Sequence, residues 1–362
     1  MSGLSTTAVP SGGRRVPATH DLGIRIPSRA GSGSILRTRE FVMSQFKDYQ
    51  PEGVIPACLL PFFEDFAIDE RGYRKHLEDV AAVEGISGVT VNAHASEAAS
   101  CSDDEQARVL DLTMDTVGDR LPVVNGVYAD GSHYAARLAR MAERGGASCL
   151  LVFPPGPMAM GGQLRPEMAL AHFKRIADAC DLPIILFQYP MASGLCYPFA
   201  TLMRLVEEVP QIRAIKDWCN DAMLHERHVR TLQGLARPVT VLSTHSSWLM
   251  SSLVLGCGGL LSGAGSVIAD LQVALFQAVQ AKDLARAQAI NARVYPLVQA
   301  FYAPPFLDMH NRMKEALVLL GRMERAVVRP PLIKLDAAEV TRLRQAIAEA
   351  RLATEGALGL AA

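Results

Sequence analysis

The chain predicts a closed (β/α)8 barrel with extra helices at its C-terminal end. Eight short runs are almost continuously apolar and rich in Val, Ile and Leu. Each is followed by an amphipathic stretch long enough for a helical crossover, and the repeat covers about 250 residues, the size such a barrel needs. Strands buried on both faces read this way because neither face meets water.

The runs are GVIPACLLPFF (53–63), GVTVNA (88–93), LPVVNGVY (121–128), ASCLLVFPP (147–155), LPIILFQYP (182–190), IRAIKDW (212–218), PVTVLSTH (238–245) and GGLLSGAGS (258–266). Between them, IDERGYRKHLEDVAA and SDDEQARVLDLTMDTV place acids early, where the positive end of a helix dipole favours them. SHYAARLARMAERGGA ends in Gly-Gly, a common helix stop. An open doubly wound sheet is the alternative, but no G-x-G-x-x-G follows the first run. Beyond Ser266, helical spacing continues through Ala269–Leu297, Leu307–Leu320 and Asp336–Ala350. The barrel is therefore assigned to 46–268, and a helical extension packed on its flank to 269–355.

Residues 1–45 are rich in Gly, Ser, Pro and Arg and lack apolar periodicity, so they read as a tail, as do 356–362. The first tail carries six arginines against Asp21 and Glu40, a charge of +4. A transit peptide or an anionic partner is one reading; an extension without function, ahead of a start at Met43, is the preferred one. Over the whole chain, 36 basic residues balance 37 acidic ones, so no broad field points to nucleic acid. Seven scattered cysteines without a C-x-x-C pair fit reduced thiols and a cytoplasmic protein. No apolar run reaches the roughly 18 to 20 residues of a membrane span.

In such barrels the active site lies at the C-terminal ends of the strands. Those ends carry Asn92, His94, Ser96 and Glu97 after the second run, Gln188 and Tyr189 in the fifth, Lys216 and Asp217 in the sixth, and Ser243, Thr244 and His245 in the seventh. Lys216 is the strongest signal, because a lysine inside an apolar strand needs either a partner or a lowered pKa. A neutral amine attacks ketones to form a Schiff base, and the iminium makes carbanion chemistry accessible without a metal. The structural alternative is a lysine paired with Asp217 or Glu97.

The run AIKDW, the turn NAHASEA, FQYP, LST, GCGGLLSG and a late RPPLIKL together resemble the dihydrodipicolinate synthase and N-acetylneuraminate lyase superfamily over about residues 53 to 348. The resemblance implies a class I lyase in which Lys216 forms the imine with pyruvate or a related 2-keto acid, assembled as a homotetramer or homodimer. It implies no cofactor and no metal. The family's G-x-x-G-E turn falls on Ala93–Glu97, of which only the glutamate is kept. The resemblance implies that the N–H groups of Ala95 and Ser96 and the Ser96 hydroxyl hold the keto acid's carboxylate, with Glu97 also in the substrate-binding turn, while for Ser96 a plain helix cap is the alternative. Thr244, His245 and Leu261 fall among the remaining substrate contacts.

The departures from the pattern bear on the acceptor. The relay tyrosine of Y-N-x-P is Phe187, the strand-two threonine is His94, and the paired tyrosines after strand four fall on Pro155 and Gly156. The arginine that grips the aldehyde's carboxylate in the synthases falls on Ala192. His94 and His245 are the available acid/base replacements, and Tyr189 adds a hydroxyl on the face shared with Phe187. Phe153, Pro154, Pro155, Met158, Met160, Phe187, Trp218 and Trp248 form a candidate apolar acceptor pocket, with core packing preferred for Trp248. The expected function is thus aldol cleavage, condensation or dehydration with an aldehyde or sugar-acid acceptor. The alternatives are a true 4-hydroxy-tetrahydrodipicolinate synthase, a metal-dependent hydrolase using His94, His245 and Glu97, and a keto-acid-binding barrel without turnover.

Overall fold

The computed structural model describes residues 45–353 except 47 and 245, so the readings made for 1–44 and 356–362 lie outside it. Each apolar run contributes one strand: β1 Gly53–Val54, β2 Val89–Val91, β3 Val123–Val127, β4 Cys149–Val152, β5 Ile184–Gln188, β6 Ile212–Asp217, β7 Thr240–Ser243 and β8 Gly259–Leu260. All pair in parallel, in the order β1-β8-β7-β6-β5-β4-β3-β2. Parallel bridges Val54↔Ile86 and Ala57↔Thr90 join the first strand to the approach of the second and close the cylinder.

The crossovers are helical: α1 Glu70–Ala81, α2 Asp103–Val117, α3 Ser132–Arg144, α4 Pro166–Ala177, α5 Phe199–Glu208, α6 Ala222–Leu232 and α7 Leu249–Val254. The early acids do more than meet a dipole. Ser102 and Glu105 form a reciprocal capping box at the start of α2, at 3.2 and 2.8 Å. After β8 come α8 Gly265–Gln280, α9 Leu284–Phe301, α10 Met309–Leu319 and α11 Ala337–Glu349. The periodic stretch 269–297 is therefore two helices. Lys282 turns the chain with a φ of 58°, and Asp283 caps α9 by accepting from the Arg286 N–H at 2.9 Å. Among the described residues no helix is long and apolar enough to cross a membrane.

The two-residue period of the strands sorts their side chains into two cores. Ile184, Leu186 and Ile215 pack outward against the helices, whereas Ile185, Phe187 and Ala214 fill the cylinder. By the same alternation Lys216 follows Ala214 to the inside and Asp217 follows Ile215 to the outside. The inner core is continuous with Phe301 of α9, Met313 and Leu317 of α10 and Leu343 of α11. The extension therefore covers the mouth of the barrel as well as its flank.

Candidate active site

The Lys216 side chain is 6% exposed, and its Nζ lies 4.2 Å from the centroid of the Phe187 ring. Burial alone pushes its pKa down to about 7, so a large share of the amine is neutral at physiological pH. Both carboxylates that might have paired with it are engaged elsewhere. Asp217 Oδ2 accepts from His225 Nδ1 and His228 Nδ1, each at 2.8 Å, and Oδ1 accepts from the Cys219 N–H at 2.9 Å. Glu97 binds the Lys314 ammonium through Oε1, and the Arg329 N–H through Oε2 at 3.0 Å.

A cavity of about 270 Å³ opens beside Lys216. His94, Ala95 and Phe187 line it from the strand ends, Thr244 from the end of β7, and Trp218 and Trp248 from the loops beyond β6 and β7. Tyr302, Phe306, Met309 and His310 close it from the C-terminal extension. Trp218, Phe306 and Tyr302 form a stacked wall, with successive centroids 5.0 and 5.6 Å apart.

His94 begins a short 3-10 turn after β2 and packs on Phe153 at a centroid distance of 4.7 Å. Its Nε2 is hydrogen-bonded to the Tyr189 hydroxyl at 3.1 Å. Burial, with a smaller contribution from Lys216, pushes the imidazole down to about 3 and keeps it uncharged. Burial also raises the Tyr189 phenol. The tilted rings of Phe187 and Tyr189, 4.6 Å apart, share one face, as the strand period expects.

The turn after β2 divides the expected carboxylate contacts. Ala95 faces the cavity, but the Ser96 hydroxyl donates to the Cys58 carbonyl at 2.9 Å and its N–H to Ala93 O at 3.1 Å. Glu97 adopts the left-handed conformation, φ 51°, which carries its carboxylate away from Lys216 toward Lys314. Leu261 is fully buried in the inner core and does not line the cavity. His245 lies outside the described residues. Of the apolar set, Phe187, Trp218 and Trp248 reach the cavity, Phe153 backs His94, and Met160 is 86% exposed.

His94 and Glu97 do not converge as metal ligands, since Tyr189 holds one and Lys314 the other. Among the described residues, the donor atoms that gather as a possible metal set belong to Asp217, Cys219 and His225, on the outer side of β6. Sequence reasoning missed His310, Tyr302, Phe306 and Met309. Their only signal was a histidine inside the helical stretch 307–320.

The dihydrodipicolinate synthetase family model matches residues 50–350. A 4-hydroxy-tetrahydrodipicolinate synthase from Kineococcus radiotolerans is 32% identical over 305 residues, 83% of this chain and 93% of that protein. The putative 2-dehydro-3-deoxy-D-gluconate aldolase YagE of Escherichia coli is 26% identical over 302 residues, covering 83% and 97%. The crystal structure of YagE in complex with pyruvate superposes with a TM-score of 0.76, at 24% identity and covering 83% and 99%. A curled sheet of eight parallel strands, a lysine inside its sixth strand and a family match over nearly the whole barrel and extension converge on one assignment: the chain belongs to the dihydrodipicolinate synthetase family.

Proposed function

We propose that this protein is a Schiff-base lyase in which Lys216 condenses with pyruvate or a related 2-keto acid, without a cofactor. One observation carries the reading: the Lys216 amine is buried beside a cavity, with its pKa pushed down to about 7 and both neighbouring carboxylates committed to other partners. The neutral Nζ attacks the keto carbon and gives a carbinolamine. Loss of water then requires a proton from solvent to reach the departing hydroxyl, while the nitrogen keeps its remaining hydrogen and becomes the iminium. His94, oriented by Tyr189, is the uncharged shuttle for that transfer. Ala95 and Thr244 border the keto acid in the same cavity.

The relatives include both a synthase and an aldolase. Phe187 in the relay position and Ala192 in the place of the synthases' arginine favour aldol or dehydratase chemistry on a different acceptor. Exposed Met160, Leu164, Met168 and Met191, on and beside the touching loops after β4 and β5, support a homodimer or homotetramer. All seven cysteines are free, which supports a cytoplasmic setting.

The test is incubation with pyruvate and borohydride, followed by intact mass and peptide mapping. The expected result is a single reduced pyruvate adduct on Lys216. An unmodified protein, or an adduct confined to another lysine, overturns the reading.

A further inference from the structure

A second chamber, of about 340 Å³, adjoins the lysine cavity. The two share His94, Met309 and His310, which form the partition between them. Beyond the partition the walls are mainly apolar, with Ala98, Ala99, Tyr128, Leu307, Pro331 and Leu332. The charged groups at its edge are already matched. The Arg329 guanidinium donates to Glu105 at 2.9 and 2.5 Å and to the Ser100 carbonyl at 2.8 Å, and Glu97 is held by Lys314. Among the described residues, no cation of this chamber is left to receive a carboxylate. Among the described residues, the His310 ring on α10 has no hydrogen-bond partner. Burial, with His94 and Lys216 close by, holds its pKa well below the ordinary histidine value, so it is a neutral base.

We propose that this chamber is the acceptor subsite, that it takes an uncharged aldehyde with an apolar aliphatic or aromatic body, and that His310 exchanges the proton of the reacting oxygen. The inference rests on the imine reading of Lys216. In the cleavage direction the substrate is a 4-hydroxy-2-keto acid bound as its iminium. The hydroxyl proton passes to the His310 ring while the bond between C3 and C4 breaks. Its electron pair enters the iminium to give the enamine, and the oxygen becomes the aldehyde carbonyl, released into the chamber. Condensation runs the same steps backward, with the imidazolium returning its proton to the new hydroxyl.

The experiment uses the full chain, pyruvate, and two aldehydes, benzaldehyde and succinic semialdehyde, on the wild type and on Ala99→Trp and His310→Ala. Ala99 is exposed at the rim, so an indole there fills the chamber without disturbing the core. Wild-type kcat/KM is expected to favour benzaldehyde by about tenfold or more. Ala99→Trp should abolish most of that preference, and His310→Ala should lower condensation by about a hundredfold. Both variants should keep the wild-type far-UV spectrum and melting temperature, which reports that they fold. Ala99→Trp should still trap pyruvate, since Ala99 does not line the lysine cavity, and in His310→Ala the loss of condensation should exceed any loss of trapping. Equal or better use of the charged aldehyde, turnover of neither, or full benzaldehyde activity in Ala99→Trp overturns the subsite. Full activity in His310→Ala overturns the role of the histidine. Absence of the wild-type adduct removes the lysine reading itself and the proposal with it.

Discussion

The Tyr189 hydroxyl stands 3.1 Å from His94 Nε2, joining the ends of β5 and β2 across the mouth of the barrel. The phenol fixes the imidazole against Phe153, and the proposed shuttle thereby has a second member. Replacing His94 with Ala should slow borohydride trapping by about a hundredfold, and Tyr189→Phe by about tenfold. Because they act as a unit, the double variant should be no slower than His94→Ala alone. Additive losses in trapping rate would separate the two.

The amine at position 216 sets a pH dependence. In the proposed reaction only its neutral form attacks, and with a pKa of about 7 the trapping rate should rise through pH 7 and level off above pH 8. At pH 6 the rate should be about a tenth of the plateau. A profile that climbs only toward pH 10 would show an ordinary lysine. Lys216→Arg should lower trapping by more than about a thousandfold at every pH.

Burial of this lysine also has a stability consequence. Its folded pKa lies below its unfolded value, so the unfolded chain binds more protons between about pH 7 and 10.5. The resulting penalty is full below pH 7 and fades as pH rises toward the unfolded pKa. Lys216→Met should therefore raise the urea midpoint, more at pH 6 than at pH 9. An equal shift at both pH values would refute the linkage.

The Glu97–Lys314 pair ties the turn after β2 to α10, with side chains 6% and 0% exposed. Removing one partner strands the other charge, so Lys314→Met should cost about 3–5 kcal/mol in denaturant unfolding. Replacing Glu97 and Lys314 together with Leu and Met should recover much of that loss. By contrast, breaking the exposed Lys174–Glu208 pair should leave the unfolding midpoint almost unchanged in salt, because solvent screens both charges.

The strands were legible because burial on both faces leaves an unbroken apolar run, and Lys216 was legible because it interrupts one. The period of two also placed Phe187 and Tyr189 on one face, as observed. The turn at 93–97 was not readable in the same way. Three-residue 3-10 geometry and the positive φ of Glu97 decide which of Ala95, Ser96 and Glu97 face the cavity, and no periodicity encodes that. His310 was hidden for a different reason. On an amphipathic helix a lone histidine reads as ordinary, and only the path of the chain after α9 shows that α10 lies over the barrel mouth. Trp248 was read as core, yet it lines the cavity beside Lys216.

The roof over the reactive lysine comes from the last third of the polypeptide. Tyr302, Phe306 and His310 follow all eight strands in the chain, so a polypeptide cut before α9 keeps every strand and still lacks this wall of the cavity.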